Sequence, residues 1–271
     1  MILFVFEGAK REPNLFRAIE TLFFQDKQSI VCSFGNNIYE LYNELQSYEG
    51  DGDIVSILKE RYQGQADSPF KDDVNSSDFS EIYLIFDYDF QNKNLPLEVM
   101  NSQIEEMLDL FDDETDNGRL YINYPMVEAI RYTKTLPDSD YWTYVVSRKE
   151  CTESSFKSIA DTFSEYKSLD FLTLSTRRAA TEKEIQSRHD NWSILIAQNV
   201  SKASYLCSRK NEIPDDKGAV SQMSIFEAQK EYLISSESVS ILSAFPLFLF
   251  DYFPNEKILA IGNLIPHSPC P

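Results

Sequence analysis

Ile82-Tyr83-Leu84-Ile85-Phe86 runs directly into Asp87-Tyr88-Asp89. Five consecutive apolar residues ending in two acids predict a strand with both faces buried, as in a parallel sheet covered by helices on each side. The chain around it repeats the theme. Downstream, Met100, Ile104, Met107, Leu108 and Phe111 mark an amphipathic helix, residues 112–118 a turn, and Leu120–Asn123 a further strand. Pro125 then opens a helix with Val127 and Ile130 inward. Upstream, residues 64–80 read as a polar loop, residues 53–62 as a short helix, and Ile38, Leu41, Tyr42 and Leu45 as another helical stripe. Ser29–Phe34 is a strand closed by Gly35. Leu15, Phe16, Ile19, Leu22 and Phe23 line one helix face behind Pro13, and Ile2–Phe6 is an apolar strand ending at Glu7-Gly8. Strand and helix alternate four times, which predicts an α/β fold.

Past residue 150 the pattern turns helical, with helices over 156–166, 182–208, 221–235 and 238–250. Tyr141–Val146 is a candidate extra strand. The expected organisation is an α/β domain over 1–150 and a helical C-terminal region over 151–271.

Composition is that of a globular protein, 42% hydrophobic and 25% charged, with only eight glycines. Neither a P-loop nor a GxGxxG is present. The net charge of −19 is uneven: residues 1–128 carry 9 Lys+Arg against 26 Asp+Glu, and the remainder 16 against 18. The scattered Cys32, Cys151, Cys207 and Cys270 form no CxxC pair and read as free thiols of a cytoplasmic protein. With only His189 and His267, a His-rich metal site is not expected. Met1–Phe6 lacks a basic flank and a cleavage site, so it does not read as a signal peptide. The apolar run Ile241–Phe250 is about half a membrane span and contains Pro246, so no membrane association is expected.

Ligands of open parallel sheets collect outside the carboxyl ends of the strands. Glu7, Asp87 and Asp89 stand at such ends. Asp87 and Asp89 project to the same side if the strand stays extended. Like carboxylates held together repel, and a proton or a cation must offset them. Hard oxygen donors favour Mg²⁺ or Mn²⁺. Lys10 and Arg11, in the loop before the first helix, are candidate phosphate contacts. Glu128 is either a site residue or a surface acid pairing with Arg131. Arg188, Lys202 and Arg209 share one face of the long helix, as a nucleic-acid track or a solvated face. The Phe-rich segment 245–253 reads as core or an oligomer contact.

These residues resemble the Toprim domain, in which one strand ends in Glu-Gly and a later one in Asp-x-Asp. Glu7-Gly8-Ala9-Lys10-Arg11-Glu12-Pro13-Asn14-Leu15-Phe16 is similar to the EGEKTEPxYF motif of its RloB-type, OLD-like branch of bacterial defence nucleases. Asn123-Tyr124-Pro125-Met126-Val127-Glu128 is similar to that branch's NPxFExW motif. The resemblance spans about residues 1–135. It implies a Mg²⁺- or Mn²⁺-dependent nuclease cleaving DNA or RNA in antiviral defence, with Asp87 and Asp89 as metal ligands and Glu7 as ligand or general base. It also implies nucleic acid as partner, with a partner ATPase or homo-oligomer by analogy. Ala9 replaces an acid of the motif and Arg11 its Thr, which leaves a second reading: a catalytically inactive Toprim-like sensor or partner-binding module. Asp-x-Asp phosphatases place their pair after the first strand, and receiver domains need an acid pair there. Neither arrangement is present.

Overall fold

The computed structural model describes residues 1–24, 28–48, 53–66, 68–70, 74–175 and 177–258; Cys270 and His267 lie outside them. The N-terminal part comprises β1 (Ile2–Phe6), α1 (Arg11–Phe23), β2 (Ser29–Ser33), α2 (Ile38–Ser47), α3 (Ile54–Arg61), β3 (Glu81–Asp87), α4 (Leu97–Leu110), β4 (Asp112–Asp113) and β5 (Gly118–Asn123). Among the described residues these strands form one sheet in the order β2-β1-β3-β5-β4, parallel except for β4 against β5. The fold is α/β, with helices flanking the sheet and a mainly helical C-terminal region. The order in which strands are added reverses between β1 and β3, because β2 lies on one side of that parallel pair and β5 on the other. A crevice opens at the carboxyl ends of strands at such a switch point.

Register puts Phe4 beside Tyr83, Phe6 beside Ile85, Ile85 beside Tyr121, and Asp87 beside Asn123. These residues share one face, because side chains alternate along a strand. Leu3, Val5, Leu84, Phe86, Leu120 and Ile122 line the other, and all are buried. On the first face Phe16 of α1 packs against Phe4, tilted, at 4.0 Å between ring centroids. Leu15, Phe16, Ile19, Leu22 and Phe23 are buried as the helical spacing predicts. Gly118 is required where it stands. Its φ is +117°, and a Cβ there would lie 2.8 Å from Leu84 Cδ1.

The C-terminal part contains β6 (Val145–Ser147), α5 (Arg148–Glu153), α6 (Phe156–Phe163), α7 (Glu182–Ser208), α8 (Gln222–Ser236), β7 (Ser238–Ser240), α9 (Ala244–Tyr252) and α10 (Asn255–Ile258). α7 starts where the sequence places it, on a capping box of Thr181 and Glu184. Three expectations need correction. Residues 238–250 are not one helix: Ser238–Ser240 pairs antiparallel with Val145–Ser147, and α9 begins at Ala244 with Pro246 in its first turn, where no N–H is needed. Tyr141–Thr143 is a 3₁₀ turn and the strand starts at Val145. The helix expected after Pro125 is a 3₁₀ turn, Val127–Arg131.

The Phe-rich segment is core. Phe248 of α9 lies 5.6 Å from Phe4, 5.0 Å from Tyr83 and 5.6 Å from Tyr121 between ring centroids, closing the first face of the sheet. One continuous apolar core runs through both parts of the chain. Among the described residues no helix is long and apolar enough to cross a membrane.

Candidate functional site

Glu7 leaves β1 at the switch point and its carboxylate accepts a hydrogen bond from the Asp87 backbone N–H at 3.0 Å. The side chain thus reaches across the crevice onto the end of β3. Asp87, the last residue of that strand, is buried. Its carboxylate accepts from Asn123 Nδ2 at 3.0 Å and from the Val127 backbone N–H. Asn123 is completely enclosed. Its Oδ1 in turn accepts from the Ala244 N–H at 2.8 Å, tying the strand end to the start of α9.

Asp89 reaches the site by a different route from the one the sequence suggests. The strand does not stay extended past Asp87, and Asp89 takes a left-handed conformation with φ 53°, which Asp tolerates better than most residues. Its carbonyl accepts from the Asn92 N–H and its carboxylate from Gln91 Nε2. Tyr39 of α2 holds the intervening turn by donating its hydroxyl to the Tyr88 carbonyl at 2.7 Å.

A fourth acid joins them. Glu12, in the first turn of α1, is buried and accepts from the Gly8 N–H at 3.2 Å. The signal for it lay in the helical spacing: Glu12 precedes Leu15, Phe16 and Ile19 by three, four and seven residues, so an acid sits on the buried stripe. Asn123 carried a weaker signal, a polar residue ending an otherwise apolar strand.

Burial and mutual repulsion dominate the electrostatics. Burial, then the Asp87 and Asp89 charges, push the Glu7 carboxyl up to about 10. Burial first and Glu12 second drive Asp87 well above the ordinary carboxylate range, while the Val127 N–H and the Asn123 amide pull the other way. Burial also raises Glu12 and Asp89. Among the described residues no lysine or arginine is ion-paired with Glu7, Glu12, Asp87 or Asp89. The donor chemistry therefore suits a hard divalent cation. The four acids are not gathered into a finished cage, however. Among the described residues, no group of three His, Cys, Asp or Glu side chains is arranged to hold an ion.

Arg11 and Glu128 form a salt bridge with each other, joining the loop after β1 to the turn after β5. Glu128 is a buried acid whose Oε2 has no partner, not a surface acid pairing with Arg131; Arg131 instead binds Asp161 at 2.6 Å. Lys10 is exposed at the start of α1. An apolar-lined cavity of about 340 Å³ lies beside Phe111, Tyr121 and Phe250, and none of the four acids lines it.

The proposed basic stripe on α7 does not exist as a surface. Lys202 is fully buried, with Nζ donating to the Tyr144 carbonyl at 2.6 Å and lying 4.9 Å from the Tyr141 ring centre. Arg209 pairs with Glu231 at 2.6 Å. Burial lowers the Lys202 amine well below its usual range. The unfolded chain takes up this proton as pH falls below about 10.5 while the folded chain resists it, so the residue weakens the fold on acidification. The Tyr144 carbonyl keeps a second donor, the Ile241 N–H. Lys202→Met is expected to stabilise the protein by about 2 kcal/mol at pH 7 and to flatten its acid-side stability profile. Denaturant titrations between pH 5 and 10 would check this, and a net loss of stability across that range would show that the ammonium is satisfied where it lies.

No family model matches the chain, and neither curated proteins nor solved structures contain a match to it.

Proposed function

We propose that the protein is a Toprim-type, metal-dependent phosphodiesterase that cleaves DNA or RNA, acting in antiviral defence. The observation that carries this reading is the meeting of Glu7 and Asp87 across the switch point, with Glu12 and Asp89 beside them and no cationic side chain paired to any of the four. Holding uncompensated acids in a buried crevice destabilises a fold. Such a cost is expected where a ligand relieves it. Glu7, Asp87 and Asp89 would hold Mg²⁺ or Mn²⁺, with Glu12 behind them. A bound ion of this kind lowers the pKa of water and neutralises charge on phosphoryl oxygens.

The chain's own groups do the rest. Glu7 keeps its own proton at neutral pH in the metal-free protein, and displacement of that proton by a bound cation would leave a carboxylate able to act as general base toward water. Asn123 and the Val127 N–H orient Asp87. The Arg11–Glu128 pair fixes the loop that carries Glu7 and Lys10.

The alternative, a catalytically inactive Toprim-like module, is favoured by two observations: the acids are not preassembled into a three-ligand set, and Arg11 is engaged by Glu128. Incubation with labelled DNA and RNA panels in Mg²⁺, Mn²⁺ or EDTA tests cleavage directly. Melting curves provide a second readout. Saturating Mg²⁺ or Mn²⁺, at about a hundred times its dissociation constant, should stabilise the parent by about 2.7 kcal/mol and leave Asp87→Asn unmoved. A parent blind to both ions and inert toward both panels would select the inactive module.

A further inference from the structure

We infer that a cleft between α1 and α7 is the seat for a single-stranded nucleic-acid backbone, with Arg177 and Arg188 as its phosphate contacts. The inference rests on the nuclease reading and adds to it where the substrate strand lies. The cleft has a volume of about 410 Å³ and is lined by Asn14 of α1, Asp170, Thr173 and Arg177 of the loop before α7, and Glu184 and Arg188 of α7.

Charge is the first argument. In a chain of net charge −19, Arg11, Arg61, Arg119, Arg131, Arg178 and Arg209 are each ion-paired with a carboxylate. Among the described residues Arg17, Arg148, Arg177 and Arg188 are in no salt bridge, and of these four Arg177 and Arg188 line the same cleft. Glu184 does not offset them, because Arg178 and the Thr181 cap engage its carboxylate. Among the lining residues Asp170 is the other opposing charge. Arg188 is positioned by its Nε, which donates to the Thr173 carbonyl at 3.0 Å. The rest of its guanidinium has no carboxylate partner, and guanidinium donors suit phosphate oxygens.

Place is the second argument. Asn14 sits one turn beyond Lys10, and its N–H donates to the Lys10 carbonyl. Lys10 is exposed at the cap of the same helix, next to the loop that carries Glu7. Glu12 projects from the same first turn toward the acids. A strand seated in the cleft would meet Arg177 and Arg188 beside the helix whose first turn carries Glu12. A free phosphate would need only one of these arginines.

The test is binding of fluorescent single-stranded DNA and RNA 20-mers in EDTA, with inorganic phosphate and pyrophosphate as competitors. The parent should bind with a salt-dependent affinity. Arg177→Gln, at an exposed position, should lower the slope of log K against log salt by about 0.7 with an unchanged melting temperature, and Arg177→Gln/Arg188→Gln by about 1.4, with roughly tenfold weaker binding at moderate salt. Duplex competitors should be poor. An Arg177→Gln variant with the parent's affinity and slope overturns the inference. So does a parent that binds pyrophosphate at this cleft and ignores the oligonucleotides. Cleavage in Mg²⁺, assayed in parallel, separates the two ideas. Cleavage that persists with unchanged binding in the arginine variants leaves the nuclease reading standing and removes the cleft. Lost binding without any parental cleavage does the reverse.

Discussion

Glu7→Gln and Asp87→Asn are each expected to cut metal-dependent cleavage on the order of a thousandfold, the scale of a lost general base, while making the protein more stable. The two effects have one cause. Glu7 is pushed up to about 10 from an ordinary 4.5, so between those pH values the unfolded chain has released a proton that the folded chain retains. Stability is therefore undiminished below about pH 4.5 and is lost progressively as pH rises toward 10. At pH 7 the loss is on the order of 3 kcal/mol. Gln keeps the oxygen that accepts the Asp87 N–H and removes the charge, so Glu7→Gln should recover most of that loss and flatten the alkaline limb of the stability curve. Asn at 87 likewise keeps an acceptor for the Asn123 amide. Urea titrations at pH 5, 7 and 9 measure the recovery, and initial rates in Mg²⁺ measure the loss. A Glu7→Gln protein that cuts at the parental rate would remove the base, and one that is less stable at pH 9 would remove the repulsion on which the site argument stands.

Phe248→Ala is expected to cost about 3–5 kcal/mol, the usual range for a large aromatic removed from a packed core. Its ring is fully buried and meets Phe4, Tyr83 and Tyr121 on three different strands, so no single neighbour can move in to fill the space. For a chain of this size the melting temperature should fall by about 10 °C. Phe248→Leu should recover more than half of the loss. A change below 1 kcal/mol for the alanine variant would mean that α9 does not cap the sheet.

The sheet was legible because its strands are apolar on both faces and end on polar residues, a pattern that burial on two sides imposes. Ile2–Phe6 and the run from Ile82 appear where the sequence puts them, and the acids at their ends meet. The residues around that meeting were less legible, for local reasons. The position of Asp89 depends on a left-handed turn that nothing in Asp-Tyr-Asp announces. Asn123 acts through Ala244, more than a hundred residues away, and a pairing at that distance leaves no periodic trace. Ser238–Ser240 is too short and too close to the apolar run behind it to be separated from a helix by spacing. Lys202 fitted a charged stripe because helical arithmetic gives a face but not what packs against it. Tyr141 and Tyr144 cover that face.

The bridge from Asp87 through Asn123 to Ala244 sets an order of events during synthesis. β1, β3 and β5 leave the ribosome well before α9, so the growing chain exposes the aromatic face around Phe4 and Tyr83 until residue 248 emerges. Over the same interval Asn123 lacks its anchor and Asp87 lacks a fixed Asn123. The nascent polypeptide, surrounded by ribosomal and messenger RNA, thus carries its acids in an unfinished setting, and the crevice is completed only once α9 has been made.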